Sequence, residues 1–520
     1  MKFKDLTEKQ KKKLAEIYNS KEYSWDVKEE KLAKFTGKAS RTARKWCEKL
    51  GLTNPKESKS PQFDSAEKKT FNKKAKRFII TWAQMNTPIH KQFFENIKVY
   101  AEEIGAEIHV IAGKYNNPRS LKSEGEEGTW ATEVMPYLDA GRHNVHQHMT
   151  IMSDYPIMPT ATNPMSGLRG DTGDNSCIFG HPRVQMEMVP VLDGHAPKMM
   201  LTTGACTVNN YSRSKAGKKG EFHHTFGFAI VEIKNKDKFF TRQVTATSDG
   251  NFNDIYYNVS DGSVTRNTTI DAAVLGDIHL GQTDPAVLKE TIKLFKKLKP
   301  KHTIIHDLFD GSSINHHESH DPIAQYHKEK TDGNSLKKEI DFMIKWIDRM
   351  RQYNLVIVRS NHDDFVDRWI KKIDWKQNIK NAMEYMDYTK VLLTGKAPKG
   401  IIPYIIDKHF DDVITLGRDQ GFQVNGWEVG YHGDHGTGGT RGSLQQYRTL
   451  STKTITGHSH SPGRMDGSLA VGTSTYLRMG YNQGASAWLN SHVIIHTDGK
   501  AQHLNFIVDK NGGAEFTTFK

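Results

Sequence analysis

At 520 residues the chain is too long for one ordinary core, and with 36% apolar and 10% aromatic residues it can bury two or three rather than remain disordered. No stretch approaches the roughly 20 apolar residues of a membrane span, and the charged start, Met1 to Lys13, lacks the apolar segment of a secretory signal. The formal net charge of +13 is uneven: Met1 to Arg77 carries 23 Lys/Arg against 11 Asp/Glu, which leaves +1 for the other 443 residues. A basic balance at one end fits a module for a polyanion, usually nucleic acid, and fits equally a lysine-rich terminus that aids solubility. Cys47, Cys177 and Cys206 form no CxxC pair and read as reduced thiols. A cytoplasmic protein (host cytoplasm for a viral one) with no membrane partner is expected. Self-association is left open.

Residues 1–55 read as helical. In KEEKLAKFTGKASRTARKWCEKLGL, Leu32, Ala33 and Phe35 mark a short amphipathic helix and Thr36-Gly37-Lys38 a tight turn. Ala43, Trp46, Cys47 and Leu50 form the inner face of a second helix. This is a helix-turn-helix pattern, whose second helix would offer Arg41, Arg44, Lys45 and Lys49 to DNA. A helical hairpin used for protein contacts is the alternative. Residues 56–76, charged and poor in apolar side chains, read as a linker. Residues 77–265 open as β-α-β, with a strand at Phe78 to Trp82, a helix at Ile89 to Ile104 and a strand at Glu107 to Ala112. They read as a small α/β domain whose role the sequence does not give. His143, His146 and His148 lack the further ligands a metal site needs. No internal repeat is evident.

From 266 to 520, strands and helices alternate, and polar residues follow the strand ends. Ala272 to Leu275 delivers Gly276-Asp277-Ile278-His279. Thr303 to Ile305 delivers His306-Asp307-Leu308-Phe309-Asp310-Gly311, and Leu355 to Val358 delivers Arg359-Ser360-Asn361-His362-Asp363. Trp427 to Gly430 delivers His432-Gly433, and Lys453 to Thr456 delivers Gly457-His458-Ser459-His460. Sites in open α/β sheets form outside the carboxyl ends of strands, so these loops can converge. Oxygen and imidazole ligands without thiolate suit Mn, Fe or Zn, and two such cations close together need a carboxylate between them. Such a pair activates water and neutralises phosphate oxygens, while a nearby imidazole protonates the leaving oxygen.

The set DxH, D-x-x-D, NH(D), HG and GHxH, in this order, resembles the calcineurin-like metallophosphoesterases over roughly the C-terminal half of the chain. The resemblance implies an α/β/β/α four-layer sandwich, preceded here by the small α/β domain and the helix-turn-helix. It implies that Asp277, His279 and His460 hold a first metal, that Asp307 bridges, and that Asn361, His432 and His458 complete a second. By the same likeness, His362 is the leaving-group acid oriented by Asp310, and Arg359 contacts the substrate phosphate. His435 rivals His432, but the His-Gly pair directly after a strand favours His432.

Departures from the pattern are His306 and Ser360 where the family has Gly, and Gly311 where protein phosphatases carry Arg. His306 could crowd the site or touch substrate; the loop histidines His316, His317 and His320 read as exposed. Loss of that arginine leans toward phosphodiesters. Joined to a basic N-terminal module, the expectation is a metal-dependent DNA nuclease with two divalent ions, Mn2+ the expected one, similar in organisation to tailed-phage DNases that degrade host DNA. The rivals are a phosphatase or phosphodiesterase on a small molecule or RNA end, and a DNA-binding regulator with an inactive metal site.

Overall fold

The structure, a computed structural model, describes residues 3–20, 25–50, 75–115, 129–318, 321–480, 482–509 and 511–519. The chain divides into two units, Met1–Glu67 and Lys68–Lys520. The expected linker lies almost wholly outside the described residues. In the first unit, α1 (Glu8–Asn19) starts at a capping box, with Thr7 and Gln10 each bonding the other's backbone. The helices α2 (Trp25–Thr36) and α3 (Ser40–Lys49) flank a turn at Gly37, whose φ of +64° suits glycine. Leu14, Tyr18, Leu32, Ala43, Trp46 and Cys47 form the shared core. Lys45 and Lys49 are exposed on α3; the side chains of Arg41 and Arg44, on the same helix, lie outside the described residues.

The second unit is mixed α/β. The strands β1 (Arg77–Gln84) and β2 (Glu107–Gly113) are parallel and joined by α4 (Lys91–Ile104), the expected β-α-β opening. The ring of His90 caps α4 by accepting from the Phe93 amide (3.1 Å), and Gly105 ends it at φ +62°. There follow β3 (Leu138–Asp139), β4 (Arg142–His146), β5 (Met149–Met152), β6 (Ser176–Phe179), β7 (Gln185–Val189) and β8 (Lys198–Thr202). After α5 (Lys215–Phe222) come β9 (Gly227–Ile233) and β10 (Phe239–Thr245). A small sheet of β11 (Phe252–Asp254), β12 (Tyr257–Ser260) and β13 (Ser263–Arg266) leads to β14 (Thr269–Val274).

Next are α6 (Pro285–Lys297), β15 (Lys299–Ile305), α7 (Pro322–Thr331), α8 (Leu336–Met350), β16 (Leu355–Val358) and α9 (Asp364–Lys372). The N-terminus of α6 is built from Asp284, which accepts from the Ala286 amide (2.8 Å), and Pro285 at the first helical position. Then α10 (Ala382–Leu393) and α11 (Ile401–His409) precede β17 (Ile414–Leu416), β18 (Gln423–Val424), β19 (Trp427–Glu428) and β20 (Lys453–Thr456). The last strands of the main sheets are β21 (Gly463–Met465), β22 (Ser468–Ala470), β23 (Ser491–Ile495) and β24 (Ala501–Asn505). No helix among the described residues is long and apolar enough to cross a membrane.

The sheet order β10-β9-β1-β2-β3 lies edge to edge with β17-β16-β15-β14-β23-β24. At the seam, Asn505 Nδ2 donates to Thr241 O and Gln502 Nε2 to Gln243 O, both at 3.4 Å. Facing this layer is one ten-stranded sheet, β18-β19-β20-β22-β21-β7-β8-β6-β5-β4. One core joins Ile80 and Trp82 to Ile178 and Leu201; another joins Val274 and Ile304 to Ile455 and Leu469.

The boundary expected at 265/266 therefore does not separate domains. Antiparallel pairing of β7 with β21 carries one sheet through both regions. The two regions also repeat each other. β1 is parallel to β2 and antiparallel to β9, as β14 is to β15 and β23. The hairpin β9–β10 matches β23–β24. The order β4-β5-β6-β8-β7 recurs as β18-β19-β20-β22-β21, every pairing in the same sense. A repeat invisible in the sequence is explicit in the topology.

The histidines at 143–148 make ordinary hydrogen bonds, His143 to Asp139 (2.9 Å) and His146 to Asn235 O (3.0 Å). Near the seam a buried ionic network ties the halves together. Arg242 holds Asp254 with Nε (2.6 Å) and Nη2 (2.7 Å) and pairs with Glu232 through Nη1. Gln502 Nε2 donates to Asp254 (2.8 Å), and the Thr518 amide donates to Glu232 (2.7 Å). Burial opposes ionisation of both carboxylates, but Arg242 overcomes it and holds both below their ordinary values. Their contribution is present above the unfolded carboxylate range and is lost as pH falls through the lowered folded values. Asp254→Ala should cost about 3–5 kcal/mol, because it strips a buried guanidinium of its bidentate partner. Urea denaturation at pH 7 checks the cost, and the variant should lose less stability than the parent when the pH is lowered below about 4.

Candidate metal centre

The strand ends bring the expected ligands together. Ligating atoms of Asp277, His279, Asp307 and His460 lie within 4.8 Å of one another, as do those of Asp307, His432 and His458. His460 Nε2 is 3.1 Å from Asp277 Oδ2 and 3.1 Å from His279 Nε2. Asp307 Oδ2 is 3.4 Å from His279 Nε2 and 3.2 Å from His432 Nε2, so one carboxylate is shared by both groups. Asn361 Oδ1 meets His432 Nε2 at 3.1 Å. Four of these candidate ligands occupy the left-handed region that non-glycine residues rarely adopt: His279 (φ +44°), Asp307 (+46°), His458 (+69°) and His460 (+55°). Such strain concentrates at functional sites, where the surrounding fold enforces it.

The donors fit divalent cations. Asp277 and Asp307 are buried (0% and 1% exposed), and Oδ1 of each has no hydrogen-bond partner among the described residues. Two carboxylates this close in a dry site repel unless a positive charge lies between them. Burial would lower His279, but Asp307 and Asp310 lift it to about 10; burial likewise opposes His432, which Asp307 lifts to about 9. Burial opposes ionisation of Asp307, yet His432, His362 and His279 hold it well below the carboxylate range. Metal binding at these ligands would displace the imidazole protons.

The role expected for Asp310 is divided differently. His362 Nδ1 bonds the backbone carbonyl of Asp310 (2.6 Å) and is 3.9 Å from its carboxylate. The carboxylate instead orients the candidate ligand His279, at 3.0 Å from Nδ1, which would leave Nε2 for a metal. Stacking on Phe365 (4.8 Å between centroids) completes the seat of His362.

Arg359 does not face the cluster, contrary to expectation. Its guanidinium pairs with Asp364 (2.7 Å) and Asp367 (3.6 Å) and donates to Lys399 O. His306 is fully buried beside His432 (5.6 Å between rings), so it lies behind the site rather than on a substrate. Burial pushes it down to about 4. His435 is exposed and outside the cluster. His316 packs on Phe365 (5.1 Å), and His320 lies outside the described residues. Gly311 has φ +73°, and a Cβ there would come within 2.8 Å of the Phe365 ring, so the phosphatase arginine has no place in this loop.

Sequence reasoning missed several supports. Asp363 closes the Asn-His turn, accepting from the Ser360 amide (2.7 Å). Trp488 packs on the His460 ring at 4.2 Å. Gly457 is required for space, since a Cβ there would lie 2.3 Å from Asp277 Oδ1 and 3.0 Å from the His306 Cβ. Gly457→Ala should therefore reduce metal affinity at least about 10-fold while the chain stays folded, the lower range for disturbing a ligand's support. Metal titration alongside circular dichroism checks this.

Comparison with known proteins finds Protein A1 of Escherichia phage T5, 30% identical over 467 residues that span 85% of this chain and 83% of that protein. No family model matches the chain, and no solved structure matches it.

Proposed function

The chain belongs to the family of Protein A1 of Escherichia phage T5, and we propose that it is a metal-dependent DNA nuclease that hydrolyses phosphodiester bonds at the Asp307 centre in the manner of the calcineurin-like metallophosphoesterases. The observation that carries the reading is the position of Asp307 Oδ2, within 3.4 Å of one imidazole and 3.2 Å of another in two separate ligand groups. Asp277, His279, Asp307 and His460 would hold one divalent ion, and Asp307, Asn361, His432 and His458 the second. The pair, Mn2+ in this reading, would activate the attacking water and neutralise the phosphate oxygens. Asp310 fixes the tautomer of His279. His362, held through Nδ1, keeps Nε2 for the proton that the leaving oxygen takes up. A phage relative fits a role in degrading host DNA.

Duplex DNA as substrate is supported by the basic N-terminal unit, with Lys45 and Lys49 exposed on α3, the recognition helix if α2 and α3 act as a helix-turn-helix. Removal of residues 1–76 should weaken binding to long DNA and reduce its salt dependence, by about 0.9 log units per log unit of salt for each phosphate no longer neutralised. Filter binding between 50 and 200 mM salt measures both. An unchanged slope would show that the unit is no DNA holder.

The test of the reading is linear and closed-circular duplex incubated with the full chain and Mn2+, Mg2+ or EDTA. Metal-dependent loss of duplex is expected, and the circle separates endonuclease from exonuclease. Intact DNA with every metal, together with turnover of a small aryl phosphodiester, would contradict it.

A further inference from the structure

The half of the second unit before residue 266 repeats the topology of the half that carries the metal centre, but not its ligands. The Met85 amide bonds Gly113 O (2.9 Å) as the Ile278 amide bonds His306 O (3.1 Å). Gln84, Asn86 and Lys114 thus stand where Asp277, His279 and Asp307 stand, and Asn86 keeps a φ of +52° beside the +44° of His279. At the end of β6, Gly180-His181-Pro182-Arg183 stands where β20 delivers Gly457-His458-Ser459-His460. Both carboxylates are gone, and Lys114 and Arg183 have arrived. Without those carboxylates, the positions lack the donor set that a divalent cation needs.

A cavity of about 600 Å3 opens beside Arg183. Arg183, Arg448, Lys453, Arg464 and Lys500 line it, against one lining carboxylate, Asp466. That carboxylate is already shared among Arg183 (3.1 Å), Arg448 (2.6 Å) and His223 (3.2 Å). Arg464 is the least compensated: it is 8% exposed, its Nη1 reaches Ala501 O only at 3.4 Å, and its Nε has no hydrogen-bond partner among the described residues. Burial pushes it down to about 10, against the pull of Asp466. Lys500 is lowered by burial and by Lys453, with Asp498 opposing. Buried cations short of partners are costly, and an anion relieves the cost. Trp427 and Lys453, also lining the cavity, begin β19 and β20, whereas His432 and His458 follow the ends of those strands. Trp427 precedes His432, and Lys453 precedes His458, by five residues of chain, at most roughly 16 Å of extended backbone.

We propose that this cavity, lined by Arg183 from the copy of the fold without metal ligands and by Arg448, Lys453, Arg464 and Lys500 from the other copy, binds a phosphate group. The phosphate belongs either to a nucleic-acid strand or to a free anion, and the site is independent of whether the chain cleaves DNA. The test is calorimetric titration of the full chain in EDTA, which removes metal-held phosphate, with inorganic phosphate and with deoxyadenosine monophosphate as probes. One phosphate per chain is expected, bound at least ten-fold more weakly by Lys453→Gln/Lys500→Gln, a pair reaching solvent, and by Arg464→Gln. A short duplex that displaces phosphate assigns the site to a strand; a duplex that leaves phosphate bound assigns it to the free anion. No saturable phosphate binding, or equal affinity in a double variant that circular dichroism shows folded, overturns the proposal.

Discussion

Asp307→Ala is expected to lose metal binding and to slow DNA cleavage at least about 1,000-fold. Disturbing a group one step outside a metal's ligands typically costs 10–100-fold, and Asp307 is in the proposed ligand set itself, shared between His279 and His432. Its removal also leaves His279 and His432 without the carboxylate that lifts their proton affinity. Elemental analysis of the desalted variant and a timed cleavage gel check the two losses separately. A variant that retains both metals would remove the bridging assignment.

His362→Ala should behave differently. Cleavage should fall by about 100- to 10,000-fold, the range for losing a positioned general acid, while metal content stays that of the parent. The expectation rests on His362 being absent from the two groups that contain Asp307: its ring is tied to the Asp310 carbonyl and stacked on Phe365, although with Asp310 it also lies within 4.8 Å of His279. A substrate with a leaving group that needs no proton, such as a nitrophenyl phosphodiester, should be much less affected. Equal loss on both substrates would point to positioning rather than proton transfer.

Much of the centre was legible in the sequence because its information is local. Each candidate ligand follows an apolar run within a few residues, as Asp277 follows Val274 and His458 follows Thr456. A strand end is enough to place such a residue. What was not legible depends on how distant segments meet. That Asp310 gives its carboxylate to His279 and its carbonyl to His362 follows from the path of one loop past two others. Arg359 looked available because its partners Asp364 and Asp367 sit on the next helix, and helix rotation decides whether they face it.

The repeat escaped notice for a chemical reason. Motif reading keys on carboxylates and histidines, and the first copy has Gln84, Lys114 and Arg183 at the corresponding places. Its strands match in order and direction, not in the residues that draw attention. The domain boundary failed with it, since apolar strands such as β7 and β8 do not disclose that their sheet continues into β21 and β22.

The proposed two-metal centre is tested most directly by the number of metal ions per chain, counted by elemental analysis after metal-free protein is equilibrated with Mn2+ and passed through a desalting column. Two ions per chain are expected, both lost in Asp307→Ala, since only one copy of the fold carries ligands among the described residues. No bound ion in the parent protein, or two ions still held when Asp307 is replaced, would contradict a two-metal centre bridged by this carboxylate.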